Sequence, residues 1–174
     1  MNLISGAPLW LVVVLSCALI AAALEDASRL RISNVTSVIV LAGAITAMLL
    51  GRPSWGLWQN FGVLVVILLL GTAAFAAGWL GGGDVKLFAA AGLWFDFRAA
   101  IAFVTFVFLA GGALAICYLA ARPFRRERVD KKRGRIPYGI AIALGAFAMI
   151  LTSQRVPTAR ERAFTPLAAA PSRT

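Results

Sequence analysis

Histidine is absent from this sequence, and that gap alone removes Ser-His-Asp and Cys-His catalysis, the His-Glu-x-x-His metalloprotease helix and the usual imidazole metal ligands. Cysteine is scarce: Cys17 and Cys117 each fall inside an apolar run, far from any paired spacing. Neither a disulfide framework nor a zinc site is indicated, and both read as packing residues. Acids are few, seven Asp and Glu among 174 residues. What remains for acid-base chemistry is a handful of carboxylates, Lys and Tyr, and the sequence asks for no metal or other cofactor.

What the chain has in excess is apolar length. Hydrophobic residues make up 61% of it, in runs long enough to cross a bilayer, which excludes an ordinary soluble globule. Lipid tails are as apolar as leucine, so the helices must associate through close packing, a demand that the 16 glycines and many alanines suit. The expected fold is all-α and polytopic, with about six transmembrane helices over 8–24, 35–50, 61–80, 85–95, 99–121 and 138–152. Several are shorter than the roughly 20 residues of an upright span, which implies local thinning or shielding by neighbours. Trp55 and Trp58 fit an interfacial belt. Residues 1–152 read as one transmembrane domain, and 153–174, rich in Arg, Pro, Thr and Ala without periodicity, as a disordered tail.

Leu11 to Ile20 followed by Ala21-Ala22-Ala23 imitates a signal peptide. No positive charge precedes this run, however, and Arg29 and Arg31 follow it, the arrangement of a retained helix whose N-terminus faces out. With that orientation and six spans, Arg52, Arg98, Arg155, Arg160, Arg162 and Arg173 lie outside, and the other eleven of the 17 Lys and Arg lie inside. Eight of them, Arg122, Arg125, Arg126, Arg128, Lys131, Lys132, Arg133 and Arg135, share one loop. Membrane topology and anionic lipid account for the formal charge of +10, and nucleic acid is not indicated as a partner.

The same orientation carries Asp26, which follows the first apolar run, and Asp84, which closes Gly81-Gly82-Gly83-Asp84, to one membrane face. A carboxylate parked where an apolar helix meets water calls for a reason. Two acids held close settle into one ionised and one protonated group, because their repulsion opposes ionising both; peptide hydrolysis by carboxylates needs that combination. The shared proton belongs to the pair, so neither residue is assigned as fixed acid or base. Glycines before Asp84 let the third span stop and turn and let another backbone approach. The bland alternatives are a solvated Asp26 at a span end and Asp84 as an ordinary helix cap.

These residues resemble the type IV prepilin peptidases. Asp26-Ala27-Ser28-Arg29-Leu30-Arg31-Ile32-Ser33-Asn34 is similar to that family's first aspartate motif, Gly81-Gly82-Gly83-Asp84-Val85-Lys86-Leu87 to its Gly-x-Gly-Asp motif, and Ile136-Pro137-Tyr138-Gly139 to the block that opens its last helix. The blocks occur in the family's order. One departure is Ser33, which stands where the family usually has proline and is expected to loosen the loop after Asp26.

The resemblance implies an endopeptidase of the bacterial inner membrane, with Asp26 and Asp84 as catalytic residues, that removes short basic leaders from prepilins and pseudopilins at the cytoplasmic face. Longer members carry an insert with paired cysteines and also methylate the new N-terminus. The chain looks like the compact, peptidase-only branch associated with Flp or tight-adherence pili, so its substrate is expected to be a Flp-type prepilin. Gly81, Gly83, Asn34, Pro137, Tyr138 and Gly139 are expected to support the motifs, Asn34 and Tyr138 through hydrogen bonds. Lys86 is expected either to hold the ionised state of the pair or to mark the inner boundary as a snorkelling lysine. Arg29 and Arg31 set topology, the basic loop grips anionic lipid, and the leader enters by the acidic side near Glu25 and Asp26. The competing reading is a small non-enzymatic transport or ion-coupling protein that carries protons or a cation on Asp26 and Asp84.

Overall fold

The computed structural model describes residues 2–29, 31–51, 56–121 and 138–154. In lipid every backbone polar group must find its partner within the protein, and the described residues meet that demand with helices and no strand. These are α1 (Leu3–Gly6), α2 (Leu9–Arg29), α3 (Asn34–Leu50), α4 (Leu57–Ala76), α5 (Gly82–Gly92), α6 (Phe97–Ala121) and α7 (Tyr138–Gln154). The protein is thus all-α, and α2 to α7 match the six expected spans. Leu9–Arg29, Leu57–Ala76 and Phe97–Ala120 are long and apolar enough to cross a membrane; α3 and α7 have 17 residues each and α5 has 11.

Boundaries differ where capping decides them. No Gly or Pro interrupts the chain after Leu24, and Ser28 Oγ donates back to Leu24 O at 2.7 Å, so α2 runs through Arg29 and Asp26 lies in its last turns instead of beyond it. The third span stops at Ala76, earlier than expected. The chain then reverses at Gly78, whose φ of 79° a residue with a Cβ rarely adopts. Gly82 and Gly83 therefore begin α5 instead of ending α4. The basic loop, Pro137 and the tail beyond Gln154 lie outside the described residues, as does Trp55.

Large apolar side chains point away from the bundle, among them Leu9, Leu69, Ile101 and Phe108. Cys17 and Cys117 share that exposed surface, contrary to their expected place in the packing. The interior is built around Trp94, Phe95 and Phe103, with the Phe95 and Phe103 rings 4.9 Å apart and Trp94 Nε1 donating to Val40 O at 3.1 Å. Small residues admit these groups: a methyl at Gly43 would sit 3.1 Å from the Trp94 ring.

At 1.5 Å per residue α5 rises only about 16 Å, roughly half the hydrocarbon thickness, so its last carbonyls end inside the bundle. The N–H groups of Leu93, Trp94 and Phe95 take the carbonyls of Ala89, Ala91 and Gly92, and the next two carbonyls, just past the helix, find partners elsewhere in the bundle. The fully buried Asn60 of α4 donates from Nδ2 to Leu93 O at 3.0 Å, and Leu3 N donates to Trp94 O at 2.9 Å. The second bond brings α1 into the bundle, where Leu3 and Ile4 are buried against α3 and α7, and Asn2 Nδ2 reaches Ser153 Oγ at 2.9 Å. This N-terminal turn, absent from the sequence reading, occupies the depth that the short α5 leaves open. Asn60→Leu should strand the Leu93 carbonyl and lower stability by about 1–3 kcal/mol, read as an earlier unfolding transition in detergent; an unchanged transition would remove Asn60 from this role.

Candidate active site

The end of the bundle opposite Asn2 and Ser153 gathers the C-terminus of α2 and the N-termini of α3, α5 and α7. Four orphan N–H groups open every helix, and here carboxylates answer them. Asp84, third residue of α5, turns its Oδ2 back to Gly81 N at 2.9 Å. That contact is half of a capping box, with Asp84 half-buried in the first turn. Asp26 performs the same service at long range: its Oδ2 accepts from Gly139 N, in the first turn of α7, at 2.6 Å. Asp26 is buried, only 4% exposed, although it belongs to α2.

Ile32 joins the two aspartate-bearing regions. Its backbone O and N lie where a methyl at Gly83 would come to 3.0 and 3.4 Å, and its Cδ1 where a methyl at Gly139 would come to 2.8 Å. The turn after α2 therefore packs on one side against the start of α5 and on the other against the start of α7. Close approach explains both glycines better than backbone freedom does.

Lys86 is exposed and donates from Nζ to Asn34 Oδ1 at 3.0 Å, tying the first turns of α5 and α3 together. The expected hydrogen-bonding role of Asn34 takes this form. Tyr138 is half-buried and its ring packs over Gly111 of α6, a contact made by its carbons. An exposed contact of the Lys86 kind contributes little, so Lys86→Met should lower any rate measured at this end by less than about tenfold. A larger loss in a cleavage assay would give Lys86 a direct part in the reaction.

Sequence reasoning placed Glu25 at the entry side for the leader and missed its bonds within the protein. Its Oε2 accepts from Ser33 N at 2.8 Å and from Thr36 Oγ1 at 3.2 Å, so the carboxylate expected to greet an incoming leader is turned inward. Ser33 does not loosen the turn either: it caps α3, with Oγ accepting from Val35 N at 3.1 Å. A capping serine at the start of a helix was the available signal for this arrangement. Elsewhere, a cavity of about 280 Å³ between α4 and α6 is lined by Val63, Ile67, Phe97, Ala100, Thr105 and similar side chains, with no acid or base among them.

A bundle of apolar helices, three of them long enough to cross a bilayer, defines a multi-pass membrane protein, and two carboxylates are held at helix N-termini on one end of it. A model of the type IV leader peptidase family matches residues 13–116, and the chain belongs to that family of peptidases. The matched stretch includes Asp26, Asn34 and the glycine string with Asp84, and ends before Gly139. No curated protein and no solved structure matches the chain.

Proposed function

We propose that the protein is an aspartic endopeptidase of the bacterial inner membrane, which cleaves basic leader peptides from Flp-type prepilins or pseudopilins at the cytoplasmic face without methylating the product. The observation that carries this reading is the convergence of the Asp26 and Asp84 regions on Ile32, at one end of a bundle that belongs to a leader peptidase family. Family membership supports peptide hydrolysis. The excess of Lys and Arg assigned to the same side supports the cytoplasmic orientation.

In this reading water is held between the two carboxyl groups. The ionised one takes a proton as the water oxygen attacks the scissile carbonyl, and the protonated one donates to the carbonyl oxygen; collapse breaks the C–N bond and a proton passes to the leaving amine. A carboxylate has about four acceptor positions, so the Gly139 contact fixes Asp26 while leaving capacity for water. Asn34 and Lys86 tie the helix that carries Asp84 to the start of α3. The basic 122–135 loop holds anionic lipid, and the leader arrives beside α2.

Co-expression with a Flp-type prepilin tests the proposal. The mature pilin should appear, shortened by its leader and carrying no added methyl group on its new N-terminus. A prepilin that stays full length beside properly inserted protein would refute the peptidase reading. Neutralising four basic residues of the loop should weaken dependence on anionic lipid and leave cleavage intact; lost cleavage with normal insertion would assign the loop to the reaction.

A further inference from the structure

We propose that Glu25 is a positioning residue for the reaction, a carboxylate clamp that locks the turn between α2 and α3 and so holds Asp26 in register with Asp84. This role rests on the peptidase reading above and adds to it a residue from outside the aspartate pair. Glu25 is the neighbour of Asp26 on α2, and its Oε2 binds Ser33 N at 2.8 Å and Thr36 Oγ1 at 3.2 Å. An N-cap N–H has no partner inside its own helix, so the Ser33 amide depends on this carboxylate. Thr36 is buried, which gives the second bond a fixed place in the first turn of α3.

Between the two ends of the clamp lies Ile32, adjacent to Ser33. Its backbone abuts Gly83, one residue before Asp84, and its side chain abuts Gly139, whose N–H holds Asp26. Any drift of the turn therefore shifts the spacing between the Asp26 and Asp84 regions. Charge-assisted bonds from a carboxylate to a backbone N–H are among the stronger ones, and a displacement near 1 Å at reacting groups costs about a hundredfold in rate. The function of Glu25 is thus mechanical, exerted through Ser33 and Ile32, and needs no contact with substrate.

Ser33 supplies an independent check. Its φ of −66° and ψ of 140° lie in the range proline adopts, but a proline ring would occupy the place of the N–H that Glu25 binds. Ser33→Pro alone should therefore collide with Glu25, whereas the same change with Glu25→Ala fills the vacated space and restrains the turn covalently.

The experiment compares wild type, Glu25→Ala, Glu25→Gln, Ser33→Pro and the Glu25→Ala/Ser33→Pro double variant in lipid nanodiscs, by amide exchange over 31–37 and by prepilin cleavage. Glu25→Ala should speed exchange at the Ser33 amide by about tenfold or more and lower kcat by about tenfold to a hundredfold with little change in KM. Glu25→Gln keeps an acceptor oxygen and should recover most of the rate; the double variant should exceed either Glu25→Ala or Ser33→Pro alone. Unchanged exchange in Glu25→Ala overturns the clamp. Faster exchange with a wild-type kcat overturns its part in the reaction. A Gln variant with normal kcat but raised KM would instead assign Glu25 to binding of the basic leader. If wild type itself cleaves no prepilin, the peptidase reading fails and the reaction role with it, while exchange still judges the clamp.

Discussion

Asp26→Asn and Asp84→Asn are each expected to lower leader cleavage by about a thousandfold or more while the protein still inserts and folds. Asparagine is nearly isosteric with aspartate and keeps a carbonyl oxygen. The Gly139 N–H can still bind residue 26 and the Gly81 N–H can still bind residue 84. Helix capping survives, and what disappears is the capacity to take or give a proton. Alanine at either position would also remove the cap, adding a stability loss of about 1 kcal/mol that confuses the readout. In the peptidase reading the pair shares one proton and acts as one unit, so the double Asn variant should be scarcely worse than either single one. Processing of a co-expressed prepilin, scored beside membrane insertion, provides the measurement. Cleavage that survives either single change would exclude that aspartate from the chemistry, and survival of both would favour a transport role for the pair.

The number and order of the membrane helices were legible because hydropathy accumulates along a run and needs no knowledge of neighbours. The placement of Asp26 and Asp84 at one end was legible for a related reason: an even number of crossings between them, counted with the charge bias, returns the chain to the same face. Which side of each helix faces inward was not legible. Lipid and core are equally apolar, so Leu69 and Leu87 look alike in sequence, yet one is exposed and the other fully buried. Cys117 was misread as a packing residue for this reason.

The local caps were harder still. Asp26 looked like the end of a span because a charge usually marks one, whereas its partner is a backbone amide on α7 that no spacing along the chain can announce. Pairing of the short α5 with the N-terminal turn is of the same kind: an unfinished helix creates carbonyls that something must answer, and only the assembled bundle shows that Leu3 and Asn60 do so. Ser33 misled in the opposite direction, since its difference from proline suggested slack while its N–H and hydroxyl make two bonds that proline lacks.

Gly139→Ala is expected to cost far more in cleavage than in stability. The added Cβ would lie 2.9 Å from Asp26 Oδ2, 3.0 Å from Asp26 Cβ and 2.8 Å from Ile32 Cδ1. Ile32 can withdraw its terminal carbon by changing rotamer, but Asp26 Cβ is fixed to the backbone of α2 and cannot. Relief therefore requires α7 to move away from α2, which lengthens the 2.6 Å bond that holds the Asp26 carboxylate. Overpacking of this sort costs about 1–3 kcal/mol, and displacement of a reacting group by a fraction of an ångström to an ångström costs about a hundredfold in rate. Loss of cleavage should accordingly exceed what the fall in stability explains. Ile32→Val added to Gly139→Ala should restore part of the stability and little of the rate, because it removes the Cδ1 clash and leaves the Asp26 clash in place. Gly112→Ala on α6 is the matched control: nothing lies within 4 Å of the added methyl, so the helix should be unchanged or gain about 0.5–1 kcal/mol. Cleavage and thermal unfolding in detergent, measured on the three variants, separate these outcomes, and a Gly139→Ala protein with wild-type cleavage would mean that the contact between α2 and α7 does not set the position of Asp26.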